Sequence, residues 1–217
     1  MKVGTDGVLL GAWTSVDKSK RILDVGTGSG LVALMLAQRC GADITAVEID
    51  EAAVEQAKMN VEQSPWKDRI SVVNMDFKEF YPDECFDAIV SNPPYFVDSL
   101  LPTDKQRTSA RHTTELDYSN LISHAAELLT PDGELTLIIP YAALKDVEET
   151  GWRCGLHPVR RLSVVTRYGA QPKRAIVSMS FCRDTACLDE TLYMEDENRE
   201  YSDEYVALIR EFYLNVW

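Results

Sequence analysis

Short apolar runs alternating with helical stretches restrict the fold of this chain more than any other feature. Residues 21–26 (Arg-Ile-Leu-Asp-Val-Gly) read as a short buried strand, a glycine turn follows, and residues 31–39 are apolar nearly all round, as a buried helix is. Residues 43–49 form a second strand, and residues 51–63 a helix that starts after Asp50, a suitable N-cap. Strands are expected at 70–75, 86–91 and 134–139, the last preceded by a helix over 116–129 and a Thr-Pro-Asp-Gly turn at 130–133. A helix over 141–150 then leads to strands at 159–166 and 175–182, a hairpin expected at the sheet edge. Residues 4–11 read as a glycine-rich turn before a strand. Strands alternating with helices, without internal repeats, specify a doubly wound α/β fold: a mostly parallel seven-stranded sheet with helices on both faces.

The 217 residues fit a single domain over 1–217, with a short N-terminal segment at 1–20. Residues 96–115 break the alternation. A stretch of that length without periodicity inside a compact domain is usually functional, and it carries Lys105, Arg107 and Arg111, so a substrate-facing loop is expected there.

Five cysteines, odd in number and without a C-x-x-C pair, argue for reduced thiols rather than a disulfide framework. The three histidines lie far from ligand spacing, so no metal is expected. No apolar run is long enough to span a bilayer and no signal-peptide pattern is present, so no membrane partner is expected and the cytoplasm is the default compartment. The net charge of −13 opposes a polyanionic partner, yet residues 184–204 alone hold nine acids against one base. Basic groups remain at Lys105, Arg107, Arg111 and His112, and again at Arg160, Arg161, Arg167, Lys173 and Arg174. Contact with a nucleic acid is therefore expected on one face only.

The first strand-to-helix turn reads Asp24-Val-Gly26-Thr27-Gly28-Ser-Gly30. Glycines at such a turn admit a ligand close to backbone N–H groups at a helix N-terminus. The G-x-G-x-G spacing departs from the G-x-G-x-x-G of nicotinamide-cofactor sites and resembles motif I of S-adenosylmethionine-dependent methyltransferases. Glu48, followed by Ile49, ends the second strand, where a carboxylate can accept hydrogen bonds from both ribose hydroxyls. Asp76 ends the third, and there the resemblance implies contact with the adenine amino group, with Phe77 near the ring. S-adenosyl-L-methionine is the cofactor that this resemblance implies.

Asn92-Pro93-Pro94-Tyr95 follows the fourth strand directly. Asn92 and Pro93 each precede a proline and are pushed toward extended conformations, and neither proline can donate a backbone hydrogen bond. Alone, this corner is either a strand terminator or an acceptor-rich grip for a planar NH2 group. Beside a methyl-donor site it resembles the (Asn/Asp/Ser)-Pro-Pro-(Tyr/Phe/Trp) motif of enzymes that methylate exocyclic base amines or glutamine amides. In that reading the Asn92 side-chain oxygen and the Pro93 carbonyl hold both N–H groups, and Tyr95, with Phe96, stacks on the base. Asn92 also borders the cofactor, and Pro94 the substrate.

Residues 2–13, the motif from Asp24 to Gly30, Glu48, the corner through Phe96, Ala110-Arg111-His112 and Pro172-Lys173-Arg174 together resemble the bacterial tRNA(Val) adenine-N6-methyltransferase family. That family modifies adenine 37, beside the anticodon, which implies tRNA and its anticodon loop as the partner. The resemblance also implies that Thr5 and Asp6 approach the methionine end of the cofactor, and that Arg111, His112, Lys173 and Arg174 contact substrate. Protein-glutamine N5-methylation uses the same corner, guanine-N2 methylation of ribosomal RNA is a further option, and a non-catalytic cofactor-binding domain is the reading from another class.

Overall fold

Strand β1 (Arg21–Val25) lies near the middle of the molecule in a computed structural model, which describes residues 4–94, 117–183 and 186–214. It pairs in parallel with β2 (Asp43–Glu48) on one side and β4 (Phe86–Ser91) on the other. Beyond β2 lies β3 (Ile70–Asn74). Beyond β4 come β5 (Leu129–Pro140), β7 (Arg174–Ser180), β6 (His157–Arg167) and β8 (Leu188–Glu195), giving the order β3-β2-β1-β4-β5-β7-β6-β8. Only β7 runs against the rest.

The inner strands are apolar on both faces because both faces are covered there, whereas the edge strands β3 and β8 each bury a single residue. Successive side chains point to opposite sides, so Ile22, Ala46, Ala88, Val90 and Ile138 join one core cluster. Leu23, Val47, Ile89, Leu137 and Ile139 join the other. The first cluster is closed by α1 (Thr5–Trp13), α2 (Leu31–Arg39) and α6 (Asp203–Ile209), and helix α3 (Glu51–Glu62) adds Val61. The second is closed by α4 (Tyr118–Leu128) and α5 (Leu144–Arg153) through Leu121, Ile122 and Val147. Each such side chain, fully buried, stabilises the fold by about 1.5–3 kcal/mol. Among the described residues no helix is long and apolar enough to cross a membrane.

Three expectations change. Residues 5–13 form a helix, not a turn. Gly7 and Gly11 sit one helical turn apart against α2, where an added Cβ would lie 3.2 Å from Leu31 Cδ2 and 3.0 Å from Met35 Cβ. The glycines there mark a close helix crossing rather than a chain reversal. The Thr-Pro-Asp-Gly segment is absorbed into β5 as a bulge: Phe86 faces Leu129, yet Ala88 already faces Glu134.

The sheet has eight strands, not seven, so the β6–β7 hairpin is not at its edge. The added strand, β8, runs through the acidic window. It is anchored by buried Leu192 and by ion pairs from Arg160 to Glu190, Arg161 to Asp189 and Arg167 to Glu195. Arg161 also pairs with Glu148 of α5. The acids that obscured β8 in the sequence pair with arginines of β6 alongside the parallel backbone ladder that joins the two strands.

Candidate active site

The strand order reverses between β1 and β4, the point at which open α/β sheets place ligands beyond the carboxyl ends of their strands. Val25 and Ser91 are the last paired residues of the two strands, and the Ser91 hydroxyl donates to the Val25 carbonyl at 2.8 Å. The glycine turn and the Asn-Pro-Pro corner therefore leave the sheet side by side.

The turn is held from two directions. Gly26, Gly28 and Gly30 have φ of 69°, 58° and 81°, a left-handed backbone that strains any residue with a side chain. The Gly26 and Thr27 N–H groups donate to the Val47 carbonyl at 2.9 and 3.1 Å. From beneath, Asp24 Oδ2 accepts the Thr27 hydroxyl at 2.5 Å and the Ala33 N–H at 3.1 Å. Asp24 is 1% exposed and Thr27 is also buried, so the two shape the turn from inside. Burial pushes the Asp24 carboxyl up to about 6, against the lowering effect of its two hydrogen bonds.

Glu48 ends β2 with its carboxylate clasped by backbone. Oε1 accepts from the Ile49 and Asp50 N–H groups at 2.9 and 3.0 Å, and Oε2 accepts from Gly28 at 2.9 Å. A carboxylate has about four lone-pair sites. Glu48 can thus take one hydroxyl as it stands, and a second only by displacing an N–H. Ile49, 59% exposed, offers an apolar surface beside it. Asp50 caps α3, accepting from the Ala53 N–H at 2.8 Å.

The Met75 N–H donates to the Glu48 carbonyl at 3.0 Å, which brings Asp76 alongside. Asp76 caps the short turn Phe77–Glu79 and pairs with Lys78 at 3.6 Å. The Phe77 ring is in the core, 4% exposed and edge-on to His124 at 4.8 Å. It is not placed to stack on a bound ring, and Ile49 is the exposed apolar group instead.

At the corner Asn92 is half-buried, Pro93 buried and Pro94 exposed. Tyr95, Phe96, Lys105, Arg107, Arg111 and His112 lie outside the described residues. Thr5 and Asp6 are brought together with Lys173 and Arg174, although the sequence reading divided these four between cofactor and substrate. Arg174 Nε donates to Asp6 Oδ2 at 3.0 Å, and all four residues line a cavity of about 180 Å³. Sequence reasoning missed Ser91. A small hydroxyl at the last position of an otherwise apolar strand was the available signal.

These features define a methyltransferase of the class I fold. The profile of the methyltransferase small domain family matches residues 4–145. Two curated relatives cover the whole chain and 92% of their own length: the tRNA1(Val) (adenine(37)-N6)-methyltransferases of Bacteroides fragilis, 50% identical, and Bacteroides thetaiotaomicron, 51% identical. The chain belongs to this tRNA1(Val) (adenine(37)-N6)-methyltransferase family. Among solved structures, a predicted O-methyltransferase from Agrobacterium tumefaciens superposes with a TM-score of 0.77 at 20% identity, covering 95% of this chain and 96% of that one, a likeness of fold.

Proposed function

We propose that this protein transfers a methyl group from S-adenosylmethionine to N6 of an adenine in tRNA, at position 37 of tRNA1(Val), the substrate named for its relatives. The observation that carries the proposal is the Asn92-Pro93-Pro94 corner at the end of β4, tied through Ser91 to the strand that leads into the glycine turn.

The cleft fits the cofactor. An added Cβ on Gly26 would meet nothing within 4 Å, so the turn opens on free space. Glu48 retains acceptor capacity for a sugar hydroxyl, Ile49 offers an apolar face for a purine, and Asp76 stands at the adjacent strand end. When bound, S-adenosylmethionine supplies an electrophilic methyl group on a sulfonium.

The residues of the chain supply the rest. An adenine amino nitrogen shares its lone pair with the ring and is a poor nucleophile. The Asn92 side-chain oxygen and the Pro93 carbonyl accept its two N–H groups, drawing the nitrogen out of conjugation and stabilising positive charge as it develops. Pro93 is buried, its ring fixes φ and the following Pro94 restricts its ψ, so its carbonyl loses little entropy in this role. The methylated nitrogen then gives up its proton readily, and no strong base is needed. Tyr95, and residues 96–115 as a substrate loop, are assigned to the RNA. An anticodon loop presents unpaired bases, so recognition can rest on stacking and loop shape with few phosphate contacts.

The test is mass spectrometry of nucleosides from purified tRNA1(Val) of a deletion strain. Loss of N6-methyladenosine at position 37 is expected. Its full retention would remove the assignment.

A further inference from the structure

We infer that the cavity between the first turn of α1 and the ends of β6, β7 and β8 is a subsite for a nucleotide flanking the target adenine. The inference rests on the tRNA reading above. The floor of the cavity is apolar, made by Leu9, Val164 and Met194, and its rim is polar, made by Thr5, Asp6, Thr166, Lys173 and Arg174. A volume of about 180 Å³ corresponds to roughly six waters. That suits one nucleobase, with its sugar and phosphate left at the rim.

Position selects the occupant. The ends of β6 and β8 and the start of β7 lie on the same edge of the sheet as the Asn92 corner, because β7 alone is reversed. From β4 to β7 and β6 is two to three strands, about 10–15 Å, within reach of the next nucleotides of one RNA strand.

Charge agrees. Arg160, Arg161 and Arg167 are engaged by acids of β8 and α5, whereas Lys173 is exposed at the rim and makes no ion pair among the described residues. Arg174 adds a second cation, held in place by Asp6. The Thr5 and Thr166 hydroxyls at the rim can pair with a 2′-hydroxyl, the group that separates RNA from DNA.

The experiment measures binding of a fluorescein-labelled tRNA1(Val) anticodon stem-loop by anisotropy, and of S-adenosylmethionine by calorimetry. Thr166 is half-buried at the strand end, so Thr166→Phe fills the cavity from its mouth, with Thr166→Val as the size control. Thr166→Phe is expected to weaken stem-loop binding about tenfold and to leave cofactor affinity unchanged. Lys173→Ala, which does not touch the core, is expected to lower the salt dependence of stem-loop binding by about one unit of slope. Wild-type stem-loop affinity and salt slope in both variants would overturn the subsite. A parallel loss of cofactor affinity in Thr166→Phe would assign the cavity to the cofactor, and also overturn it. Failure of the wild-type protein to bind or methylate the stem-loop would sink the tRNA reading itself, a result distinct from either of these.

Discussion

The Ser91 hydroxyl donates to the Val25 carbonyl across the β1–β4 seam, at 2.8 Å and out of contact with water. This bond is made one residue before the Asn-Pro-Pro corner and one residue before the glycine turn. It therefore ties the Asn-Pro-Pro corner to the glycine turn at a fixed spacing.

Replacing Ser91 by alanine removes that link without adding bulk. The expected cost in stability is about 1 kcal/mol. Turnover should fall by about tenfold or more, because small displacements of reacting groups are costly, while cofactor affinity is retained. Single-turnover kinetics alongside thermal melting separate the two effects; a drop in melting temperature with unchanged turnover would deny Ser91 a positioning role.

Asn92→Ala should leave S-adenosylmethionine binding nearly unchanged and lower turnover by about 10²–10³-fold, as removal of a preorganised transition-state partner does. Equal losses in cofactor affinity and in turnover would show that Asn92 serves the cofactor instead.

Glu48→Gln keeps the shape of the side chain but replaces one acceptor oxygen with a donor and removes the charge. Hydrogen bonds to charged groups contribute about 1.5–3 kcal/mol, so the affinity for S-adenosylhomocysteine should fall by about 10- to 100-fold. Calorimetry measures it directly, and an unchanged Kd would exclude Glu48 from the sugar site.

Asp24 makes stability depend on pH. Its carboxyl titrates at about 6 in the folded protein against an ordinary value of 3.8, with burial as the main cause. The unfolded chain gives up this proton first, so the Asp24 contribution to stability declines as pH rises from about 4 to about 6, then stays level. In Asp24→Asn the decline is absent. The stability of the variant relative to wild type should therefore rise across that interval and flatten above it, as urea titrations at a series of pH values would reveal. A constant difference from pH 4 to pH 7 would be incompatible with the raised carboxyl.

Strands β1, β2, β4 and β5 were legible because they are buried on both faces and leave apolar runs such as Ile22-Leu23 and Ile89-Val90. The glycine turn, Glu48, Asp76 and the Pro-Pro corner were legible because each interrupts such a run at its carboxyl end. Strand β8 was not, since only Leu192 is buried and the backbone ladder and ion pairs that hold it to β6 involve partners distant in sequence. Helix α1 was hidden by Gly7 and Gly11, whose meaning depends on Leu31 and Met35 lying opposite. Phe77 shows the same limit. A residue beside a motif carries no local sign of whether it faces the cleft, the core or a neighbouring cavity.

The pairing of β8 acids with β6 arginines has a kinetic consequence for a polyanionic substrate. Without β8, Arg160 on one face of β6 and Arg161 and Arg167 on the other would lose these carboxylate partners and leave the sheet margin more cationic. With β8 in place those cations are paired with carboxylates, whereas Lys173 stays exposed at the neighbouring strand end. Charge pairing of this kind lowers non-specific attraction at a surface without adding a contact to a bound complex.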